Sequence, residues 1–175
     1  ALARYTLRAA AVYDPDPAAV LHNLNQVLYQ EYRQDARYCT VVFGILTPQP
    51  DGFRAVIASG GHPEPLVLRA DGSAHHHRTK GRMVGVFPDS AYTNTSLSVG
   101  PGETLVLYTD GLTEARPSGS ATADHRFGTD ALLTFAGDLA PADATAAVGA
   151  FVTLLDGFGH GLEDDTAVMA ISVPL

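Results

Sequence analysis

"LVLYTDGLTEAR" (residues 105–116) joins a short apolar run to an acid, a glycine and, further on, a second acid. Leu105–Tyr108 reads as a buried strand that Asp110–Gly111 stops. Asp-Gly is a common turn pair, so a plain turn accounts for the stop. A carboxylate at a strand end is also where a fold displays a metal ligand. The stretch alone leaves both readings open.

A second stretch bears on the choice. "LEDDTAVMAISV" (162–173) places Glu163, Asp164 and Asp165 immediately before an apolar strand. If the two strands are antiparallel neighbours, the end of the first lies beside the start of the second. Asp110 and Asp164 then converge at one sheet edge. Carboxylates ~4 Å apart repel by about 4 kcal/mol at an effective dielectric of ~20. Such a pair must share a proton, separate or bind a cation. Oxygen donors with no His or Cys nearby in sequence favour Mg²⁺ or Mn²⁺ over zinc. A strand-end turn beside a solvated acidic loop is the simpler alternative.

The bulk properties narrow the class. The 175 residues make one domain, or most of one, able to bury a real core. A net charge of −8 argues against a nucleic-acid footprint or an anionic membrane surface. No apolar run approaches the ~18 residues of a membrane span, and "ALARYTLRAAA" does not read as a secretory leader. Cys39 is the single cysteine, so no intrachain disulfide forms and a cytoplasmic home is expected. Within "YCTVVFGIL" it reads as an inert core thiol.

Along the chain, residues 1–13 read as helix without a start signal. A second helix is marked by Asp16 as N-cap and Pro17 at the first position, with Val20, Leu21, Leu24, Val27 and Leu28 on one face. Strands are expected at 38–46 and 53–59, joined by "TPQPDG", then in "PLVLRADGSAHHHR", on both sides of a turn at Gly100–Gly102, and at 166–173. Helices are expected at 128–138 and at 142–156, the latter carrying Val148, Phe151, Val152 and Leu155 and stopping at Gly157. Short turns between strands imply a mainly antiparallel α+β fold. "RPSGSATADHR" (116–126) reads as a polar, mobile loop.

In order, "GGHPEPLVLRADG", "GVFPDSAYTNTSLSVGPGETLVLYTDGLTEAR", "FGTDALL" and "EDDTAVMAIS" resemble metal-dependent protein phosphatases of the SpoIIE/RsbU type, the bacterial branch of the PPM (PP2C-like) serine/threonine phosphatases. The similarity covers nearly the whole chain, and its specificity lies in the ordered set. The resemblance implies an α-β-β-α sandwich of two mainly antiparallel sheets flanked by helices. It implies a dinuclear Mn²⁺ or Mg²⁺ site whose bridging water attacks phosphorus in line. Asp110 matches a direct metal ligand in the "TDG" motif and Asp164 another in the "DD" motif. Asp165 matches a supporting position, and Gly111 permits the close turn at Asp110. Glu114 matches an acid that either lies behind the ligands or caps the following turn. His62 in "GGHPEP" matches a "GHP" motif near the active-site edge, where it either meets phosphate or an accessory metal or holds a turn.

The resemblance also implies a phosphorylated regulatory protein as substrate, such as an anti-sigma-factor antagonist, and N-terminal sensor domains. The family's "GGDxYD" and "GDVxGKG" motifs have no counterpart here, since Asp14 and Asp16 in "YDPDPAAV" are accounted for by helix capping. Residues 1–175 are therefore expected to be the C-terminal majority of a single phosphatase domain, with weak or absent metal binding, little activity and a tendency to form homodimers through uncovered sheet edges. A non-catalytic, protein-binding pseudophosphatase is the rival reading. "YTDGLTEA" is also similar to the "DxDGT" signature of haloacid-dehalogenase-type phosphatases, but Tyr108 stands where the nucleophilic Asp is required. His75–His77 follow an Asp-Gly turn and read as a solvated surface.

Overall fold

The computed structural model describes residues 2–31, 38–117, 126–162 and 164–175. Its elements run α1 (Leu2–Tyr13), α2 (Pro17–Glu31), β1 (Val41–Gln49), β2 (Gly52–Gly60), β3 (Leu66–Leu68), β4 (Ala74–His76), β5 (Thr95–Val99), β6 (Thr104–Tyr108), α3 (Gly111–Glu114), α4 (Gly128–Leu139), α5 (Ala144–Phe158) and β7 (Val168–Ser172). The strands form a three-stranded sheet ordered β1-β2-β5 and a four-stranded sheet ordered β4-β3-β6-β7. No described helix is long and apolar enough to cross a membrane.

The first of two compact units holds α1, α2 and the three-stranded sheet. Asp16 starts α2 as expected: its Oδ1 accepts from Ala18 N and Ala19 N at 2.9 and 3.4 Å, and Pro17 opens the helix. A hydrogen bond from Asn94 and those from the capped amides hold the Asp16 carboxyl below the usual range. The buried stripe of α2 is Pro17, Val20, Leu21, Leu24, Asn25 and Leu28, whereas Val27 falls on the flank and is exposed. Cys39 is half-buried beside Leu24, Leu28 and Val84, and burial pushes its thiol up, which keeps it protonated and inert. β1 begins later than expected and runs through Thr47–Gln49, leaving a tighter turn into β2.

Asn25 is the polar residue at the centre of this unit. It is fully buried; its Nδ2 donates to Phe87 O at 2.9 Å. Its Oδ1 accepts from Gly85 N at 2.8 Å and from Tyr92 Oη at 3.2 Å. Asn25→Leu strands a buried amide, hydroxyl and carbonyl at once, so urea unfolding should show a loss of about 1–2 kcal/mol. An unchanged midpoint would mean that water replaces all three bonds.

The second unit holds the four-stranded sheet with α3, α4 and α5. Its core comprises Leu66 and Leu68 from β3, Val106 and Tyr108 from β6, Leu112, Leu132, Ala136, Ala147, Phe151 and Phe158. Phe135 meets Phe151 edge-on with ring centroids 5.2 Å apart. α5 is capped by Asp143, whose side chain accepts from Ala146 N at 2.8 Å. It runs past Gly157 to Phe158, with Gly159 as its C-cap, and Val152 faces outward.

Other expectations are corrected. β5 and β6 do flank the turn at Gly100–Gly102, but they belong to different sheets. His75 and His76 lie on β4 and are half-buried; both ring nitrogens of His76 are buried with no partner among the described residues. Alternation explains this: His76 pairs with Leu66 on the core face, with α4 packed against the strand. Burial also holds the His75 and His77 imidazoles below the usual value, so the tract is not a solvated surface. The loop at 118–125, His125 and Glu163 lie outside the described residues.

Candidate functional site

The two acidic stretches meet within the second unit. β6 and β7 are antiparallel neighbours in the register Thr104↔Ser172 through Tyr108↔Val168. The chain leaving β6 therefore runs beside the chain entering β7. Thr109 fastens the two just beyond the ladder. Its N–H donates to Ala167 O at 3.0 Å, and its Oγ1 accepts from Ala167 N at 2.9 Å and donates to Asp165 O at 3.3 Å. Thr109 was missed in the sequence reading; a hydroxyl residue directly before a strand-end Asp-Gly is the signal that could have found it.

Gly111 then opens the short helix α3, with Gly111 and Leu112 buried, which the sequence reading also missed. A Cβ at Gly111 would lie 2.7 Å from Thr166 Oγ1, 2.9 Å from Asp165 O and 3.3 Å from Asp164 O. Gly111 has no positive φ, so its role is close approach of two backbones rather than a left-handed turn.

Asp110 stands at the N-cap of α3 but its side chain makes no capping bond, and no described residue donates to its carboxylate. Its carbonyl instead accepts from Glu114 N at 2.9 Å and Thr113 Oγ1 at 3.0 Å, which fixes the backbone under the acid. Asp164 Oδ1 accepts from Asp165 N at 2.7 Å, and Asp164 O accepts from Thr166 Oγ1 at 3.3 Å. Asp110, Asp164 and Asp165 are exposed. A turn could hold its backbone without leaving two carboxylates presented to solvent on adjoining segments; these are hard oxygen donors.

The remaining candidates divide. Glu114 pairs with a base: its Oε1 accepts from Arg126 Nη1 at 2.7 Å on the surface. His62 belongs to the first unit and holds a turn there. Its N–H donates to Ser59 Oγ at 3.2 Å, its carbonyl accepts from that hydroxyl at 3.1 Å, and its Nδ1 lies 3.2 Å from Thr40 Oγ1. Two residues before Asp110, the buried Tyr108 phenol is pushed up to about 12 by burial and by the charge of Glu64. It is a neutral core residue, which leaves no place for a nucleophilic acid there.

The donor set limits what can be held. Among the described residues no three His, Cys, Asp or Glu side chains gather closely enough to bind an ion. Asp110 and Asp164 fit Mg²⁺ or Mn²⁺ in donor type but do not make a dinuclear site.

The profile of the family described as "Stage II sporulation protein E (SpoIIE)" matches residues 1–174, nearly the entire chain. The chain belongs to the SpoIIE family. Protein IcfG of Synechocystis sp. is 34% identical over 92 residues, which is 53% of this chain and 14% of IcfG. The PP2C domain of SiaA from Pseudomonas aeruginosa superposes with a TM-score of 0.74 at 23% identity, covering 98% of this chain and 67% of that one. The PP2C domain of SpoIIE from Bacillus subtilis, with a regulatory fragment, gives 0.76 at 16% identity over 98% of this chain and 49% of that one. The RsbU and RsbW domains of a Mycobacterium tuberculosis protein give 0.71 at 23% identity, covering 99% and 48%. This member of the SpoIIE family thus has the PP2C-type fold of two antiparallel sheets with flanking helices. It spans about half of two of these solved chains and a seventh of IcfG. Another Bacillus subtilis SpoIIE phosphatase-domain structure was presoaked with Mn, and RsbX was solved in complex with magnesium.

Proposed function

We propose that this SpoIIE-family chain is the C-terminal majority of a PPM-type phosphatase domain that hydrolyses phosphoserine or phosphothreonine on a bacterial regulatory protein. An anti-sigma-factor antagonist is the substrate type that the family resemblance of the motifs implies. Asp110 and Asp164 are the metal ligands, and Asp165 and Gly111 hold them in place. The observation that carries this reading is the close pairing of the Asp110–Gly111 and Asp164–Asp165 backbones beyond the β6–β7 ladder.

Divalent cations supply charge neutralisation at phosphoryl oxygens and a water of lowered pKa. The described residues offer two exposed carboxylates toward that task, so the 175-residue chain alone is a poor catalyst. N-terminal sensor domains and a cytoplasmic setting accompany the reading. Edge strand β1 and the exposed Tyr5 and Tyr13 of α1 favour homodimers.

The test compares this chain with the product of the complete gene, using a phosphoserine peptide with and without Mn²⁺. The gene product should release phosphate only with Mn²⁺, and the chain alone should release little. Phosphopeptide binding with no turnover by either would replace the enzyme with a binding module. Rapid turnover by the short chain would show that the described carboxylates suffice.

A further inference from the structure

We propose that Lys80 and Arg82, with Arg78 two residues before Lys80 in the chain, form an open cationic docking surface for an acidic, phosphate-bearing segment of a partner polypeptide. The identity of that partner as substrate rests on the phosphatase reading; the charge argument does not.

The first observation is segregation of charge. The chain has 19 acids against 11 bases, yet no acid occurs between Asp71 and Asp89. Three of the 11 bases, including the single lysine, fall within residues 78–82 of that interval. All three are exposed, and none ion-pairs with a described residue. Arg82 is instead steadied by the face of Phe87, its guanidinium carbon 5.2 Å from the ring centroid. Exposed cations that pair with no described acid contribute little to stability, whereas they suit an anionic partner.

The second observation is shape. Lys80, Gly81, Arg82, Asp89 and Ala91 line an open surface concavity of about 480 Å³, the shape an extended segment could lie along. Asp89 leaves this wall at net +1, and Arg78, two residues before Lys80 in sequence, is a further exposed base. Met83 and Phe87 are exposed nearby in sequence and offer apolar contact to peptide side chains.

The third is rigidity. Gly81 bridges Tyr92, and its carbonyl accepts from Gly61 N at 3.0 Å. A Cβ at Gly81 would sit 1.7 Å from Ser59 O, so the backbone between Lys80 and Arg82 is seated directly on its neighbour. Asn25 ties down Gly85, Phe87 and Tyr92 from below, and Gln26 Nε2 donates to Pro88 O at 2.9 Å. Cations carried on a fixed frame lose less entropy on binding than cations on a loose loop.

A peptide fits better than a larger polyanion. A nucleic acid or anionic membrane would extend over the acidic remainder of the chain, where repulsion opposes it. A short acidic segment needs only the basic patch.

The experiment measures fluorescence anisotropy of a labelled peptide carrying one phosphoserine flanked by Asp and Glu, in EDTA so that no turnover intervenes. Binding should weaken by about tenfold or more in Lys80→Glu/Arg82→Glu, and should fall steeply between about 50 and about 300 mM salt. Lys80→Gln/Arg82→Gln should give an intermediate loss at unchanged thermal midpoint, which guards against misfolding of the reversal. The same phosphoserine flanked by Lys should bind poorly. No binding at low salt, or equal binding by all variants, overturns the proposal. So does tighter binding of a single-stranded RNA or of phosphatidylserine vesicles to the same residues. Charge-dependent binding without phosphatase activity in the gene product overturns the enzyme reading alone. Activity with charge-independent binding overturns the docking site alone.

Discussion

Gly111→Ala is expected to lower the unfolding free energy by about 3 kcal/mol, near the upper end for overpacking. Thr166 Oγ1, at 2.7 Å from the new methyl, can rotate away, but the carbonyls of Asp165 and Asp164, at 2.9 and 3.3 Å, belong to the backbone. The lead-in to β7 must retreat, and the two bonds between Thr109 and Ala167 lengthen with it. Urea unfolding reads the loss as a lower midpoint. Gly149→Ala is the internal comparison: it lies inside α5 with nothing within 4 Å of its Cβ position, so alanine there should stabilise by about 0.5–1 kcal/mol. If both substitutions behave alike, the close approach at Gly111 does not hold in solution.

The contrast between these glycines shows what sequence can carry. Composition and pattern place Gly111 after a strand and Gly149 in a helix, but not the neighbour that arrives from 54 residues later. Local signals were legible where they act locally. Asp16 and Pro17 start α2, and Asp71 turns the chain between β3 and β4 through bonds from Ser73. Acids flanking opposite ends of two apolar runs pose antiparallel pairing of β6 with β7 as a condition for convergence, and the register meets it.

Features decided by tertiary contacts were not. Asn25 is polar yet lies in the buried stripe of α2, because three backbone and side-chain groups from residues 85–92 need its amide. Val27 and Val152 are apolar yet exposed, since helix position and not hydrophobicity decides which side meets a neighbour. The three histidines looked like a polar surface, but strand alternation turned His76 inward under α4. The pairing of Glu114 with Arg126 likewise joins residues 12 apart, which its motif does not show. For Asp110 and Asp164, the convergence of their backbones is a property of the fold, while their service as ligands is the proposal.

That service is tested most directly by Asp110→Asn and Asp164→Asn. Each should weaken Mn²⁺ binding to the chain by about tenfold or more, since loss of supporting groups around a metal already costs 10- to 100-fold. Titration of free Mn²⁺ by electron paramagnetic resonance reads this without any turnover. Stability without metal should move the other way. Each substitution removes one negative charge from a chain of net −8, and does so where a second carboxylate stands on the adjoining segment. Neither carboxylate caps a helix: Asp110 makes no capping bond, and Asp164 accepts only from the next residue, a bond the Asn side-chain oxygen can keep. The thermal midpoint in EDTA should therefore stay level or rise, while the rise in midpoint on adding Mn²⁺ should shrink. A residue kept for folding would show the reverse, with a lower midpoint in EDTA and an unaltered response to Mn²⁺. In the product of the complete gene, either substitution should also abolish Mn²⁺-dependent phosphate release, and full turnover by Asp110→Asn would remove that residue from the site.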